Sequence, residues 1–305
     1  MSWKSKLRRW TPPVIADGFD RRRADPEDRA VARYLAAGRV PFSEGYGEFR
    51  NRTITATLDD PDLMDRFATG KSLPTDFAHG LDERCVEYPW ALGQLGKIEG
   101  LVLDAGSALN HAFLLKRPEL HALRLHIVTL APEAHAFWQL GHGYLYEDLR
   151  RLPMDDAVYD AVASISTLEH VGCDNRAYTG NKTTAGSKPD DLDVMVELRR
   201  VLKPGGVLLF TVPFGRPDDL GSFRQFDSDR LESAIAAFGP TAEDDRRFYR
   251  YGGCGWEISD ADSCIDSEYV DWICQHPDER DPDFPVQADH AAAARAVALV
   301  RLVLP

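Results

Sequence analysis

The sequence predicts an α/β fold, doubly wound, with a mostly parallel sheet and helices on both faces. Three observations predict it. Leu101 to Asp104 is a short apolar strand tipped by an acid, followed by a small-residue turn from Ala105 to Ala108 and then the helix-forming AFLLK. Tyr159 to Ile165 is a second apolar strand, preceded by an acidic turn and followed by Leu168-Glu169-His170-Val171. Glu197 to Gly215 reads as a helix ending at Lys203, a break at Pro204-Gly205-Gly206, and a strand from Val207 to Val212. Leu192, Met195, Val196 and Leu202 share one face of that helix. Proline cannot continue it, and the glycines accept the positive φ angles of a tight reversal. Strands interleaved with helices give a parallel sheet covered on both sides.

The remaining elements follow in chain order. Residues 1 to 95 read as an N-terminal accessory or cap segment, and residues 96 to 305 as the α/β domain. Trp3, Leu7 and Trp10 lie at helical spacing among Lys4, Lys6, Arg8 and Arg9, but Thr11-Pro12-Pro13 stops the run so early that a frayed basic tail is favoured over an interfacial helix. Asp25 to Ala37 is expected to be a helix with Ala30, Val31, Tyr34 and Leu35 inward, and Asp60-Pro61 to cap another over LMDRF. LDERCVEYPWALGQL leads directly into the first strand and is expected to pack across its mouth. After Phe214 come a helix over Ser228 to Phe238, a strand at Phe248 to Tyr251, and a last strand at Ala296 to Leu304. Two inserts stand out: a polar, glycine-bearing stretch at 173–191, placed as a substrate lid, and a variable one at 252–290.

Composition narrows the function classes. The chain has 305 residues and a net charge of −13. Residues 1 to 39 hold ten Lys/Arg against five Asp/Glu, a balance of +5 that leaves −18 for the rest. So acidic a body argues against a nucleic-acid substrate, which needs a basic track. There is no apolar run long enough for a membrane-spanning helix and no secretory signal. Five scattered cysteines without a CxxC pair fit reduced thiols in the cytoplasm. Cys254, Cys264, Cys274 and His276 lack the short paired spacing of a zinc ribbon, so no metal is expected. Oligomeric state is not legible.

In their order, the acid-tipped strand, the D-x-x-x-L-P segment at Asp148 to Pro153, the strand followed by LEHV, and LKPGG resemble a class I S-adenosylmethionine (SAM) dependent methyltransferase, the small-molecule, type 11-like branch in particular. The resemblance spans residues 98 to 214. It implies a Rossmann-like, seven-stranded sheet and SAM as cofactor. It places Asp104, Gly106 and Ser107 at the cofactor's methionine part, though the family's three loop glycines are here Gly106, Ala108 and Asn110. The family's ribose-binding acid has no counterpart, since Thr129 or Leu130 stands near that point. Glu133, a little further on, either reaches back or is the N-terminal acid of a helix after Pro132. Asp148 matches the adenine-binding aspartate, with Leu149 against the ring, and Ser166 closes the set at the end of its strand.

Glu169 and His170 follow that strand, where relatives face the substrate. A metal there would need a third ligand. The expected catalytic role is that of a base for an accepting hydroxyl, with His170 first, against the alternative that His170 packs at the pocket floor. The resemblance therefore implies methyl transfer to a hydroxyl of a small-molecule acceptor, a sugar or secondary metabolite leading. The alternative is a catalytically inactive methyltransferase-like binding or scaffold protein, for which the missing glycines and ribose acid speak. A nicotinamide dehydrogenase would need a G-x-G-x-x-G turn that DAGSALN does not supply.

Overall fold

Among the residues described by the computed structural model, 25–133, 135–175, 191–272 and 285–305, the chain opens with four helices. These are α1 (Pro26–Ala36), α2 (Tyr46–Asp59), α3 (Pro61–Thr69) and α4 (Arg84–Leu95). The N-cap expected at Asp60 forms, accepting from the N–H groups of Asp62 and Leu63, and Asp25 caps α1 by accepting from the Glu27 N–H, each with proline at the first helical position. The alternating region follows: β1 (Leu101–Ala105), two single-turn helices α5 (Ala112–Leu115) and α6 (Pro118–His121), β2 (Arg124–Thr129), β3 (Gly143–Tyr146), β4 (Tyr159–Ile165), α7 (Asp191–Val201) and β5 (Leu202–Pro213). A two-residue ribbon, β6 (Asp218–Asp219) and β7 (Arg224–Gln225), precedes α8 (Ser228–Phe238). The chain ends with β8 (Glu243–Gly252), β9 (Gly255–Ser259), the short α9 (Ala261–Cys264) and β10 (Ala296–Val303).

The main sheet has eight strands among the described residues, in the order β3-β2-β1-β4-β5-β10-β8-β9. That is one more than expected. The extra strand, β9, comes from the 252–290 insert and pairs antiparallel with β8, from Phe248↔Ser259 to Gly252↔Gly255. β1 to β5 are mutually parallel, and β10 runs antiparallel between β5 and β8. The helix expected to reach Lys203 stops at Val201. Leu202 already pairs with Tyr159, and the register shifts before Ala161 meets Val207, so Lys203 to Gly206 form an irregular strand entry. Pro204, which has no N–H to donate, sits in that irregular stretch.

Two-residue alternation sends neighbours to opposite faces. Val102, Leu209 and Leu299 join Ile54, Trp90 and Leu92 of the N-terminal helices in one buried cluster. Leu103, Leu208 and Ala298 join Leu198 of α7 and Phe238 of α8 in the other. The helices before residue 96 thus form one wall of the sheet's own core. The tip of the N-terminus (1–24), most of the 173–191 insert and the stretch carrying Cys274 and His276 lie outside the described residues.

Candidate active site

The chain order reverses on either side of β1, which has β2 on one edge and β4 on the other. Ligands of open α/β sheets bind at such a point, outside the carboxyl ends of the strands. A cavity of about 320 Å³ lies there. Each of the first four strands contributes its following loop.

After β1 the backbone takes two successive left-handed residues, Gly106 at φ 110° and Ser107 at φ 64°. A Cβ at Gly106 would stand 2.1 Å from Thr167 Oγ1, so only glycine lets this loop pass the one after β4. Asp104 is fully buried beneath the loop rather than on the cavity wall. Its Oδ2 accepts from the Leu109 N–H at 3.0 Å, and its Oδ1 has no hydrogen-bond partner among the described residues. Burial pushes this carboxyl up to about 7 against the opposing pull of the Leu109 and Ala108 amides. Ser107 lines the cavity with an equally unpartnered hydroxyl.

Asn110, at the family's third glycine position, has a job that glycine cannot do. Its amide donates to Glu133 Oε2 at 2.8 Å and to the His135 carbonyl at 3.1 Å, and its Oδ1 accepts from Tyr144 Oη at 2.8 Å. The loop after β1 is thereby tied to the connection between β2 and β3. Among the described residues Glu133 heads no helix, and a 3-10 turn, Trp138–Leu140, follows it. Instead it reaches back to the cavity wall, where Thr129 and Leu130 also stand.

After β3, Asp148 and the buried Leu149 line the cavity. Arg150 donates to both Asp148 oxygens, from Nε at 3.0 Å and Nη2 at 2.6 Å. Burial raises this carboxyl, but the Arg150 hydrogen bonds and charge outweigh it, so it sits below the usual range and is ionised. After β4, Ser166 holds φ 41°, its N–H donating to Thr211 Oγ1 at 2.9 Å. Asp104 supports the cavity from below, Glu169 misses it, and the other site residues expected from the sequence line it.

Glu169 instead lines a second cavity of about 490 Å³, whose wall includes Arg84, Ser166 and His170 in common with the first. Its carboxyl is 3% exposed, its Oε2 has no hydrogen-bond partner among the described residues, and burial holds it well above the carboxylate range. His170 Nδ1 lies 3.0 Å from the Ser222 carbonyl, which can only accept, so Nδ1 carries the proton and Nε2 is the basic nitrogen. Burial pushes the imidazole down to about 4, only partly offset by that carbonyl, which leaves it neutral at pH 7.

Sequence reasoning missed the part α4 plays. Glu87 is fully buried: Oε1 accepts from Ser166 Oγ (2.7 Å) and Thr211 Oγ1 (2.5 Å), and Oε2 pairs with Arg84 at 2.6 Å. From the next residue of the same helix, Tyr88 Oη donates to the Ala108 carbonyl at 2.8 Å, bracing the loop after β1. The available signal was an Arg and a Glu three residues apart within an otherwise apolar helix, immediately before the first strand.

Residues 103–210 match the family model of a methyltransferase domain. That match covers about a third of the chain and runs from within β1 to within β5. No curated protein matches the chain. Several solved structures resemble it distantly in shape. The [4+2]-cyclase SpnF is 18% identical over 87% of this chain and 97% of its own, with a TM-score of 0.44. The N-methyltransferase NodS of Bradyrhizobium japonicum, in complex with S-adenosylhomocysteine, is 12% identical over 84% and 98%, with a TM-score of 0.41. A 1,6-didemethyltoxoflavin-N1-methyltransferase of Burkholderia thailandensis is 14% identical over 82% and 88%, with a TM-score of 0.40.

The first cavity fits SAM, the cofactor that the methyltransferase match implies. The unpartnered Ser107 hydroxyl on the cavity wall suits the polar amino-acid end of such a ligand, and the Gly106 backbone leaves room for close approach. No described helix is long and apolar enough to cross a membrane.

Proposed function

We propose that this methyltransferase transfers its methyl group to a hydroxyl of a small molecule seated in the second cavity. The observation that carries the reading is the shared wall: Arg84, Ser166 and His170 border both cavities, so a molecule in the second faces the first. SAM supplies an electrophilic sulfonium methyl, and the transfer is an in-line displacement that depends mainly on alignment and exclusion of water. On the cofactor side, Asp148 accepts from the adenine amino group with Leu149 against the ring, Thr129 and Glu133 face the ribose, and Ser107 meets the amino-acid end. Glu133 offers the carboxylate that Thr129 lacks.

The hydroxyl must lose its proton as it attacks. Glu169 is the better acceptor of it, because a carboxyl held high by burial is the stronger base once ionised. His170, depressed to about 4, is a weak base and serves to align the acceptor at the shared wall. This reverses the order of the two residues expected from sequence. The strongly acidic body, −18 beyond residue 39, favours a small acceptor over nucleic acid.

The test is transfer of an isotopically labelled methyl from SAM to a panel of sugars, phenols and amino alcohols, with the product's methyl located by NMR. Methyl on oxygen, reduced about a hundredfold or more by Glu169→Gln with unchanged cofactor affinity, is the expected result. Methyl found only on nitrogen or carbon overturns the hydroxyl reading.

A further inference from the structure

We infer that the second cavity recognises a cationic amine, so that the acceptor is a small molecule carrying an ammonium group. The inference rests on the methyl-transfer reading for the identity of the ligand as acceptor, but the cation site stands on its own observations.

The first is charge. Arg50 pairs with Asp82 at 2.7 Å, and Tyr46 Oη donates to the same carboxylate oxygen at 2.9 Å. Arg84 pairs with Glu87. Those two pairs use up the arginines of the cavity. Glu83 and Glu169 are left, and neither forms an ion pair among the described residues. Both are deeply buried, at 9% and 3% exposure. Glu83 receives one long hydrogen bond, from the Ala294 N–H at 3.3 Å, while Glu169 Oε2 receives none. Burying carboxyls without a counter-charge is costly, and a bound cation is what offsets it. The strain shows in Glu83, which burial and then the neighbouring Asp82 and Glu87 charges push up.

The second observation is the aromatic part of the same cavity's wall. Phe42, Tyr46, Phe223, Tyr269 and Trp272 all line the cavity. Phe42 lies 4.7 Å from Tyr46 and 6.2 Å from Trp272 between ring centroids, and Phe223 lies 4.8 Å from Tyr269. Two groups of rings beside two spare carboxyls make an aromatic box with a negative side. Ring faces attract cations, most strongly where water is excluded, and ammonium ligands use this arrangement. A neutral sugar would leave both carboxyls protonated and uncharged, whereas an ammonium group lets one of them ionise against it. An anionic acceptor would be repelled. An amino alcohol or amino sugar satisfies the box with its ammonium group against Glu83 and still presents a hydroxyl toward Glu169.

The test uses a matched pair of probes. Choline and 3,3-dimethylbutan-1-ol have the same shape and the same hydroxyl and differ only in charge. Each is titrated into the full chain by ligand-observed NMR, with S-adenosylhomocysteine binding measured separately by calorimetry. Saturable choline binding, roughly tenfold or more tighter than that of the neutral isostere, is expected. Glu83→Gln should narrow that gap with little effect on the isostere. Trp272→Leu should narrow it too, without touching the carboxyls, which covers the case in which Glu83→Gln does not fold. Equal binding of the two probes, tighter binding of the isostere, or no saturable choline binding overturns the cation site. If choline binds selectively but S-adenosylhomocysteine does not bind, the methyl-transfer reading fails while the cation site stands.

Discussion

Glu87 Oε1 accepts a hydrogen bond from Ser166 Oγ at 2.7 Å, joining the helix before the first strand to the residue that ends the fourth. The same oxygen takes Thr211 Oγ1 from β5, and its partner oxygen takes Arg84. One carboxylate thus locks α4 across the carboxyl edge of the sheet.

Removing it should be expensive. Glu87→Ala strands Arg84 and leaves two buried hydroxyls without their acceptor, and loss of one member of a buried pair costs about 3–5 kcal/mol. Urea unfolding measures this. A loss under about 1 kcal/mol, the range of an exposed pair, would mean that the tie is not structural.

Gly106→Ala should impair cofactor binding more than any other single-methyl change in the loop. The new Cβ meets Thr167 at 2.1 Å and must hold φ 110°, a region an L side chain rarely adopts. Calorimetry with S-adenosylhomocysteine should show at least about a tenfold loss, which is about 1.4 kcal/mol. Gly253→Ala, where nothing lies within 4 Å, is the control. Equal affinities for the two variants contradict the loop geometry.

Asp104 sets a pH dependence of stability. Its folded value of about 7 lies above the roughly 3.9 of an unfolded aspartate, so the folded state holds the proton more tightly. That contribution is complete below about pH 4 and is lost as pH rises through 7. Asp104→Asn, which cannot ionise, should therefore gain stability relative to wild type across this window. Parallel pH profiles for the two proteins would show that the carboxyl is not desolvated.

His170 should remain neutral well below the pH at which an exposed histidine titrates. Its folded value near 4 lies below the roughly 6.5 of an unfolded imidazole. Its stabilising contribution is thus present above pH 6.5 and lost as pH falls toward 4. Nitrogen-15 NMR of the ring should show the Nδ1–H tautomer with no titration between pH 6 and 7.5. A midpoint near 6.5 would restore His170 as the stronger candidate for the base.

The sheet's parallel core was legible because its signals are local. β4 and α8 run over the residues their patterns predict, and Asp60 caps α3 as its Asp-Pro pair implies. What escaped depends on partners distant in sequence. β9 is five residues long and lies in what reads as an insert. It forms a tight hairpin with β8, but its start at Gly255 is also bridged to Phe77, far back in the chain before the first strand. Asn110 reads as a lost glycine until Glu133 and Tyr144 are seen beside it. Arg84 and Glu87 look like a solvated helical pair, and only the fold shows that the helix is buried on the sheet. Glu169 and His170 stand just after β4 as their position in the sequence implies, but burial, which no pattern records, sets their relative basicity.

The most direct test of the central claim, that the cavity at the carboxyl ends of β1 to β4 holds SAM, is calorimetric titration of the full chain with S-adenosylhomocysteine, repeated on Asp148→Asn. Micromolar binding by the wild type, weakened about tenfold or more by the substitution, is the expected result. A folded wild type that does not bind, or binding that Asp148→Asn leaves unchanged, contradicts it.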